Sequence, residues 1–264
     1  PKLTEWVGDR AVKDMKEHGY VVTNKLYEGT VGVKRTDIED DNLGIYAPMF
    51  EEMGYAAATH PDELVFSLLG KGFSTNCYDG QFFFDKDHPV AVNVGGTGGN
   101  ATVSNLIDAA ASPESKTPWY LLDVSRTLKP LIFQERTSPE LQAITDGKND
   151  TVFMKDQYLY GVRYRCNVGF GFWQQAVAVR DDLTAANFEK ALGLMQSFQA
   201  DGGRPLGLGT GGKAGTLLVV PPTLYAAARK LLTVQLVNGG GSNPWYDAAT
   251  IVNVPWLLPA VVAA

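Results

Sequence analysis

Residues 44–70 read GIYAPMFEEMGYAAATHPDELVFSLLG, and the placing of apolar residues within them sets the frame for the rest of the chain. Tyr46, Phe50, Met53 and Ala57, then Leu64, Val65, Leu68 and Leu69, recur every three or four positions, which is the period of an amphipathic helix. The spacing predicts one long helix over 44–70. Pro61 lacks an N–H and crowds the preceding turn, so a kink or restart is expected there, with Asp62 and Glu63 in the new first turn. Gly70 and Gly72 end the run. Ahead of it stands the acidic cluster Asp37-Ile38-Glu39-Asp40-Asp41, which puts negative charge where a helix N-terminus favours it. The cluster lacks the glycine and terminal glutamate spacing of a calcium loop, which leaves capping, or contact with a basic partner, as its reading.

On the N-terminal side, Tyr20-Val21-Val22-Thr23 and Thr30-Val31-Gly32-Val33 flank the polar stretch Asn24 to Gly29. These β-branched runs predict a hairpin or extended loop within 10–36, too weak to stand without a neighbour. On the other side, Val94 to Asn100 is glycine-rich and reads as a flexible loop. Trp119–Leu122 and Leu131–Gln134 read as strands, and 151–179, rich in aromatic and β-branched residues, as a long hairpin turning near Arg165-Cys166-Asn167. Thr184 is a good N-cap for a helix over 185–199, with Leu183 and Phe188 placed as a hydrophobic staple. A strand at Thr216–Val220 ended by Pro221-Pro222, a helix over Leu224–Val237 and a strand near Thr250–Val254 complete helices on a small sheet. The fold class is α+β.

The 264 residues, 45% hydrophobic and 20% charged, have ordinary globular usage, so neither disorder nor a fibrous repeat is indicated. A net charge of -6 argues against a surface built to grip nucleic-acid phosphates. The apolar C-terminal run from Ile251 is interrupted by Pro255 and Pro259 and is too short to span a bilayer. Pro1-Lys2-Leu3-Thr4 lacks the features of a signal peptide, so neither export nor a membrane anchor is expected. The missing initiator methionine leaves two readings open: a boundary of the chain, or removal of a longer segment by proteolysis. Cys77 and Cys166 lie far apart and outside metal-ligand spacing, as buried thiols would.

One stretch invites an enzymatic reading. Gly207-Leu208-Gly209-Thr210-Gly211-Gly212-Lys213 has the spacing of a phosphate-binding loop, yet turn formers precede it, Ala214 stands where Ser or Thr would hold magnesium, and a strand follows instead of a helix. Asp85, Asp87 and His88 are three adjacent potential metal ligands without a second cluster, and Asp-Lys-Asp-His-Pro is ordinary turn chemistry. His18, His60 and His88 have no nucleophile or acidic partner at suggestive spacing. No catalytic residue, cofactor or metal is expected.

Several ordered motifs carry a family resemblance. They include Asp40-Asp41-Asn42-Leu43-Gly44-Ile45-Tyr46, His60-Pro61-Asp62-Glu63-Leu64, Cys77-Tyr78-Asp79-Gly80 and Asp87-His88-Pro89. Further along come Leu128-Lys129-Pro130-Leu131-Ile132-Phe133-Gln134-Glu135-Arg136, Tyr160-Gly161-Val162, Val168-Gly169-Phe170-Gly171-Phe172-Trp173-Gln174 and Leu218-Val219-Val220-Pro221-Pro222. From about residue 3 to 257 the set resembles the Mu-like prophage major head subunit, a capsid family of tailed bacteriophages.

The resemblance implies the Hong Kong 97-type capsid fold: an N-terminal arm at 1–9, an E-loop hairpin at 10–36 reaching across neighbours, and a spine helix with the first part of the P domain at 37–112. Strands and the P-domain hairpin would occupy 113–180, and an α/β A domain 181–264. It also implies a structural protein, not an enzyme, that assembles in the bacterial host cytoplasm into hexamers and pentamers of an icosahedral virion head around double-stranded DNA, without sequence-specific DNA binding. Scaffold, prohead protease, portal and decoration proteins are the other implied partners. Subunit contacts are expected at Tyr20, Val22, Lys25, Tyr27, Lys34, Arg35, Asp37, Glu39 and Asp40. Some relatives cross-link lysine to asparagine; Lys13, Lys16 and Lys25 lie in the E-loop segment, but no acceptor motif is visible and no cross-link is expected. Two alternatives stand beside this: an encapsulin-like nanocompartment shell, and a nucleotide-binding enzyme using 207–213.

Overall fold

The structure, a computed structural model, describes residues 21–41, 44–93, 98–237 and 240–258. The arm at 1–9, the start of the E-loop segment including Tyr20, and the run Val94–Thr97 lie outside the described residues. Two compact units interleave along the chain: 21–65 with 133–169, and 66–132 with the described residues from 170 onward. The long helix and both strands of the hairpin pass from one unit into the other.

In chain order, β1 (Lys25–Lys34) leads into the short α1 (Arg35–Glu39) and the long α2 (Tyr46–Gly70). Then come β2 (His88–Ala91), β3 (Asn100–Val103), β4 (Leu106–Asp108), β5 (Trp119–Asp123), β6 (Leu131–Ile144), α3 (Asp150–Lys155) and β7 (Gln157–Phe170). They are followed by β8 (Ala176–Arg180), α4 (Ala185–Ser197), the two-residue β9 (Gln199–Ala200) and β10 (Arg204–Pro205), and the one-turn α5 (Gly212–Gly215). Last are β11 (Thr216–Val220), α6 (Pro222–Leu232), the short β12 (Leu236–Val237) and β13 (Gly241–Ser242), and β14 (Thr250–Asn253).

The unit containing 170 onward holds the core. Its five-stranded sheet runs β14-β11-β5-β8-β4, with β11 parallel to β14, β4 parallel to β8, and β5 antiparallel to both its neighbours. Trp119-Tyr120-Leu121-Leu122, Ala176-Val177-Ala178-Val179 and Leu218-Val219-Val220 are buried without alternation, because central strands covered on both faces need apolar residues on both. α4 packs on β8, and α6 on β11 and β14. As expected, Thr184 Oγ1 accepts from the Asn187 N–H at 3.2 Å and starts α4. α6 starts two residues earlier than expected, because Pro222 can occupy the first helical turn where no N–H is needed, and ends five earlier, at Leu232.

The other unit is one helix on one face of the sheet β1-β7-β6. Tyr46, Phe50, Met53, Ala57, His60 and Leu64 form the half-buried side of α2. Phe50 meets Tyr160 at 4.3 Å between ring centres, and His60 meets Tyr27 edge-on at 4.4 Å. Asp41 accepts from the Ile45 and Tyr46 N–H groups, so the acidic cluster does start the helix.

Three local expectations are corrected. α2 does not restart at Pro61 but runs through it as one element: the apolar stripe continues on both sides, and the Thr59 hydroxyl donates to the Tyr55 and Ala56 carbonyls in the turn ahead. Asn24–Gly29 is not a hairpin turn; Lys25–Lys34 is a single strand pairing residue for residue with Cys166–Gln157 of β7, and such continuous pairing leaves no room for a turn. Arg165-Cys166-Asn167 lies inside β7, and the long hairpin is made by β6 and β7, joined through α3. Its base is pinned by the Gly171 N–H donating to the Pro130 carbonyl at 2.7 Å. A Cβ at Gly171 would lie 2.0 Å from the Lys129 carbonyl oxygen, so glycine is required there.

Candidate assembly surface

β1 alternates, and its two faces have different fates. Tyr27 and Val33 turn toward the α2 side, where Tyr164 and Cys166 of β7 are buried, while Leu26, Glu28, Thr30 and Lys34 are exposed on the other. Burial pushes the Tyr164 hydroxyl up, and the Glu135 carboxylate, which accepts its hydrogen bond at 2.8 Å, adds to the shift. A hydrogen bond from Ser138, with this one from Tyr164, holds the Glu135 carboxyl below the usual range.

The predicted contact residues lie along this strand and the short helix after it, but not all face outward. Val22 is half-buried and its carbonyl accepts from Gln134 Nε2 at 3.5 Å. Tyr27 is half-buried against His60; burial pushes its hydroxyl up, with Cys166 and Glu63 adding. Arg35 Nε donates to Glu39 at 2.7 Å within α1, so the two charges pair with each other. Lys25, Lys34, Asp37 and Asp40 remain exposed. Tyr20 is outside the described residues.

Exposed apolar residues are the feature the sequence reading missed. Leu26 on β1 is 60% exposed, Leu141 near the end of β6 is 62% exposed, and Phe153 and Met154 on α3 are each 78% exposed. Their neighbour Val152 is buried and anchors α3, and the Asp156 carbonyl accepts from the Arg35 N–H at 3.0 Å, tying this tip to the start of α1. Ile45, Met49 and Tyr55 add exposed apolar surface on α2. Of the buried apolar residues, this unit holds Val33, Val152, Tyr164 and Cys166, and the large core cluster lies wholly in the other unit. What sets this unit apart is that it exposes apolar residues while burying few of its own.

The glycine-rich loop has another use. Buried Asp123 at the end of β5 accepts from the Gly209 N–H at 2.6 Å through one oxygen and from Ser125 N–H and Oγ through the other. An internal carboxylate therefore holds the donor a phosphate would need, α5 is a single turn, and Lys213 pairs with Asp247 at 3.0 Å. Of the three ligand candidates, His88 is buried while Asp85 and Asp87 are not, so they do not converge as a set. Cys77 and Cys166 are free, buried thiols, as expected. Among the described residues no helix is long and apolar enough to cross a membrane.

The chain matches the model of the family described as Mu-like prophage major head subunit gpT over residues 1–257. It is 52% identical over 243 residues to the major capsid protein of Escherichia phage Mu, covering 92% of this chain and 77% of that one. It is 50% identical over 236 residues to the Mu-like prophage FluMu major head subunit of Haemophilus influenzae, covering 89% and 75%. Its fold is similar to a chain of the bacteriophage JBD30 procapsid, with a TM-score of 0.81, 54% identity, and coverage of 97% of this chain and 83% of that one. A chain of the bacteriophage JBD30 capsid gives a TM-score of 0.77, 38% identity and coverage of 98% and 83%. With the motifs, the α+β capsid fold and the apolar unit in agreement, the chain belongs to the Mu-like prophage major head subunit family.

Proposed function

We propose that this chain, a Mu-like major capsid protein, builds the head by packing into hexamers and pentamers that close around double-stranded DNA, and that it catalyses no reaction. The observation that carries this reading is the exposed apolar surface of the β1-β7-β6 unit, on a subunit whose own core lies elsewhere. Covering one large apolar side chain contributes about 1.5–3 kcal/mol, and shell closure repeats each such contact over every subunit. The second copy of the same chain is the occupant, since relatives of this fold stand in procapsid and capsid assemblies.

Segment 10–36 takes the bracing role in this proposal, with β1, an edge strand among the described residues, offering its outer edge to a neighbour. The spine and P-domain roles fall to 37–112 and 113–180, and the A-domain role to 181–264. The JBD30 capsid occurs decorated with minor capsid protein trimers. We assign this chain the same kind of outer partner, together with scaffold, protease and portal proteins met during assembly in the host cytoplasm. The net charge of -6 suits a shell that encloses DNA without gripping it. Negative-stain microscopy of the purified protein, with nucleic acid measured on the same sample, tests the proposal. Closed shells or six- and five-membered rings are expected; a persistent monomer under assembly conditions contradicts it.

A further inference from the structure

Outside the assembly surface, one cluster of chemically reactive side chains stands apart, in the unit that holds the core. The tight turn 77–81 is closed by the Cys77 N–H donating to the Gln81 carbonyl at 2.8 Å, and Gly80 takes φ +90 within it. This turn presents the Cys77 thiol and the Asp79 carboxylate to His88, the first residue of β2. Cys77 Sγ lies 3.0 Å from Asp79 Oδ1, and His88 Nδ1 lies 2.8 Å from Asp79 Oδ2. The three ligand atoms all fall within 4.8 Å of one another. His88 is fully buried and its ring stacks on Trp173 at 4.0 Å.

The far side of the imidazole decides what the near side can do. Asn105 Nδ2 donates to the carbonyls of Phe83 and Trp173, at 2.8 and 3.3 Å, which fixes the amide and leaves Oδ1 as the atom facing the ring. That oxygen already accepts from the Asp85 N–H at 2.9 Å and lies 3.3 Å from His88 Nε2. An amide oxygen only accepts, so Nε2 carries the proton. In the neutral ring the Nδ1 lone pair then points at a carboxylate, and two acceptors at 2.8 Å need a cation between them. A histidine whose outer N–H is held by a carbonyl, with its other nitrogen aimed at further ligands, is the arrangement metal sites use.

We propose that Cys77, Asp79 and His88 bind a divalent zinc-like cation. Sulfur, nitrogen and oxygen together suit Zn²⁺, which takes all three donors. Binding removes the thiol proton to solvent and forms a sulfur–metal bond; thiolate and carboxylate then cancel the two positive charges, so the buried complex is neutral. Asp79 also lines a cavity of about 850 Å³, from which water can fill the fourth position. The donors stand slightly closer than an ion with bonds of about 2.0–2.3 Å would hold them, and Asp79, at the cavity wall, is the one placed to swing. The bound ion ties the 77–81 turn to β2 and acts as a structural staple. The residues that the sequence sets side by side, Asp85 and Asp87, take no part.

The test is metal binding by the full chain after treatment with a chelator and desalting. Zinc content is measured by mass spectrometry, affinity by competition with a chromophoric chelator, and Co²⁺ is used as a spectroscopic probe. One ion per subunit is expected, with a thiolate-to-cobalt absorption band that survives Cys166→Ser and disappears in Cys77→Ser. Affinity should fall by more than about tenfold in Cys77→Ser and in His88→Gln. Absence of zinc and of the cobalt band in the wild-type chain overturns the proposal and leaves a proton as the bridging cation. Retention of both the band and the affinity in the two variants also overturns it, by placing the ion elsewhere.

Discussion

Asp123 shows how one buried carboxylate organises a loop. Its two oxygens take three hydrogen bonds, and removing it leaves the Gly209 N–H without a partner in the interior. An unsatisfied buried group costs about 1–3 kcal/mol, so Asp123→Ala is expected to lower the unfolding free energy by about 3 kcal/mol in a urea titration. A loss below about 1 kcal/mol would mean that the loop holds itself. Asp108 offers a second test. Burial pushes its carboxyl up, but hydrogen bonds and charge from Arg180 and Lys86 outweigh this and hold it below its ordinary value of 3.8. A depressed folded-state value contributes stability that is present above 3.8 and fades as pH falls through the lower folded value. Relative to wild type, Asp108→Asn should therefore be less stable near neutral pH, and the gap should close at the acid end of a thermal melting series; a gap independent of pH would rule this pair out as a source of acid sensitivity. Residue-scale pairs of this kind were not legible in the sequence. Cys77, Asp79 and His88, like Asp108 and Arg180, meet only because turns and strands bring them together, and no local spacing records such a meeting.

At the scale of elements, what could be read depended on whether the pattern was local. The stripe of Tyr46, Phe50, Met53 and Ala57 foretold α2 because one helix face must meet a sheet, and the buried runs in β5 and β11 were plain because punctuation bounds them, whereas β8 was merged into the hairpin expected over 151–179. The hairpin turn was misplaced because Asn167 is a turn former by type, yet here its side chain bonds the Thr23 carbonyl at 2.5 Å beside a strand that continues to Phe170. β1 was misread for the same reason: its polar middle faces solvent and is not a turn. The exposed tip α3 is the element whose role can be isolated. Because Phe153 is 78% exposed in the subunit, Phe153→Asp should change the melting free energy by no more than about 0.5 kcal/mol and yet prevent shells from forming. Leu26→Asp on β1 is expected to behave alike, with circular dichroism and microscopy read on the same preparation. Normal particles from both variants would remove these elements from the assembly surface.

For the whole molecule, the division of labour between the units accounts for both folding and function. The unit with the five-stranded sheet buries the large side chains, from Trp119 to Phe198, and is equipped to fold on its own contacts. The unit of β1, β7, β6 and most of α2 buries few and shows Leu26, Leu141, Phe153 and Met154 to solvent. In the proposed assembly its remaining stabilisation comes from copies of itself, which would make assembly and completion of the fold one process. Hydrogen exchange, compared between assembled shells and dissociated subunits, addresses this most directly. The protection gained on assembly is expected to concentrate in residues 25–40 and 141–156. Protection gained only in the unit with the five-stranded sheet, with those two segments exchanging equally in shell and subunit, would contradict it.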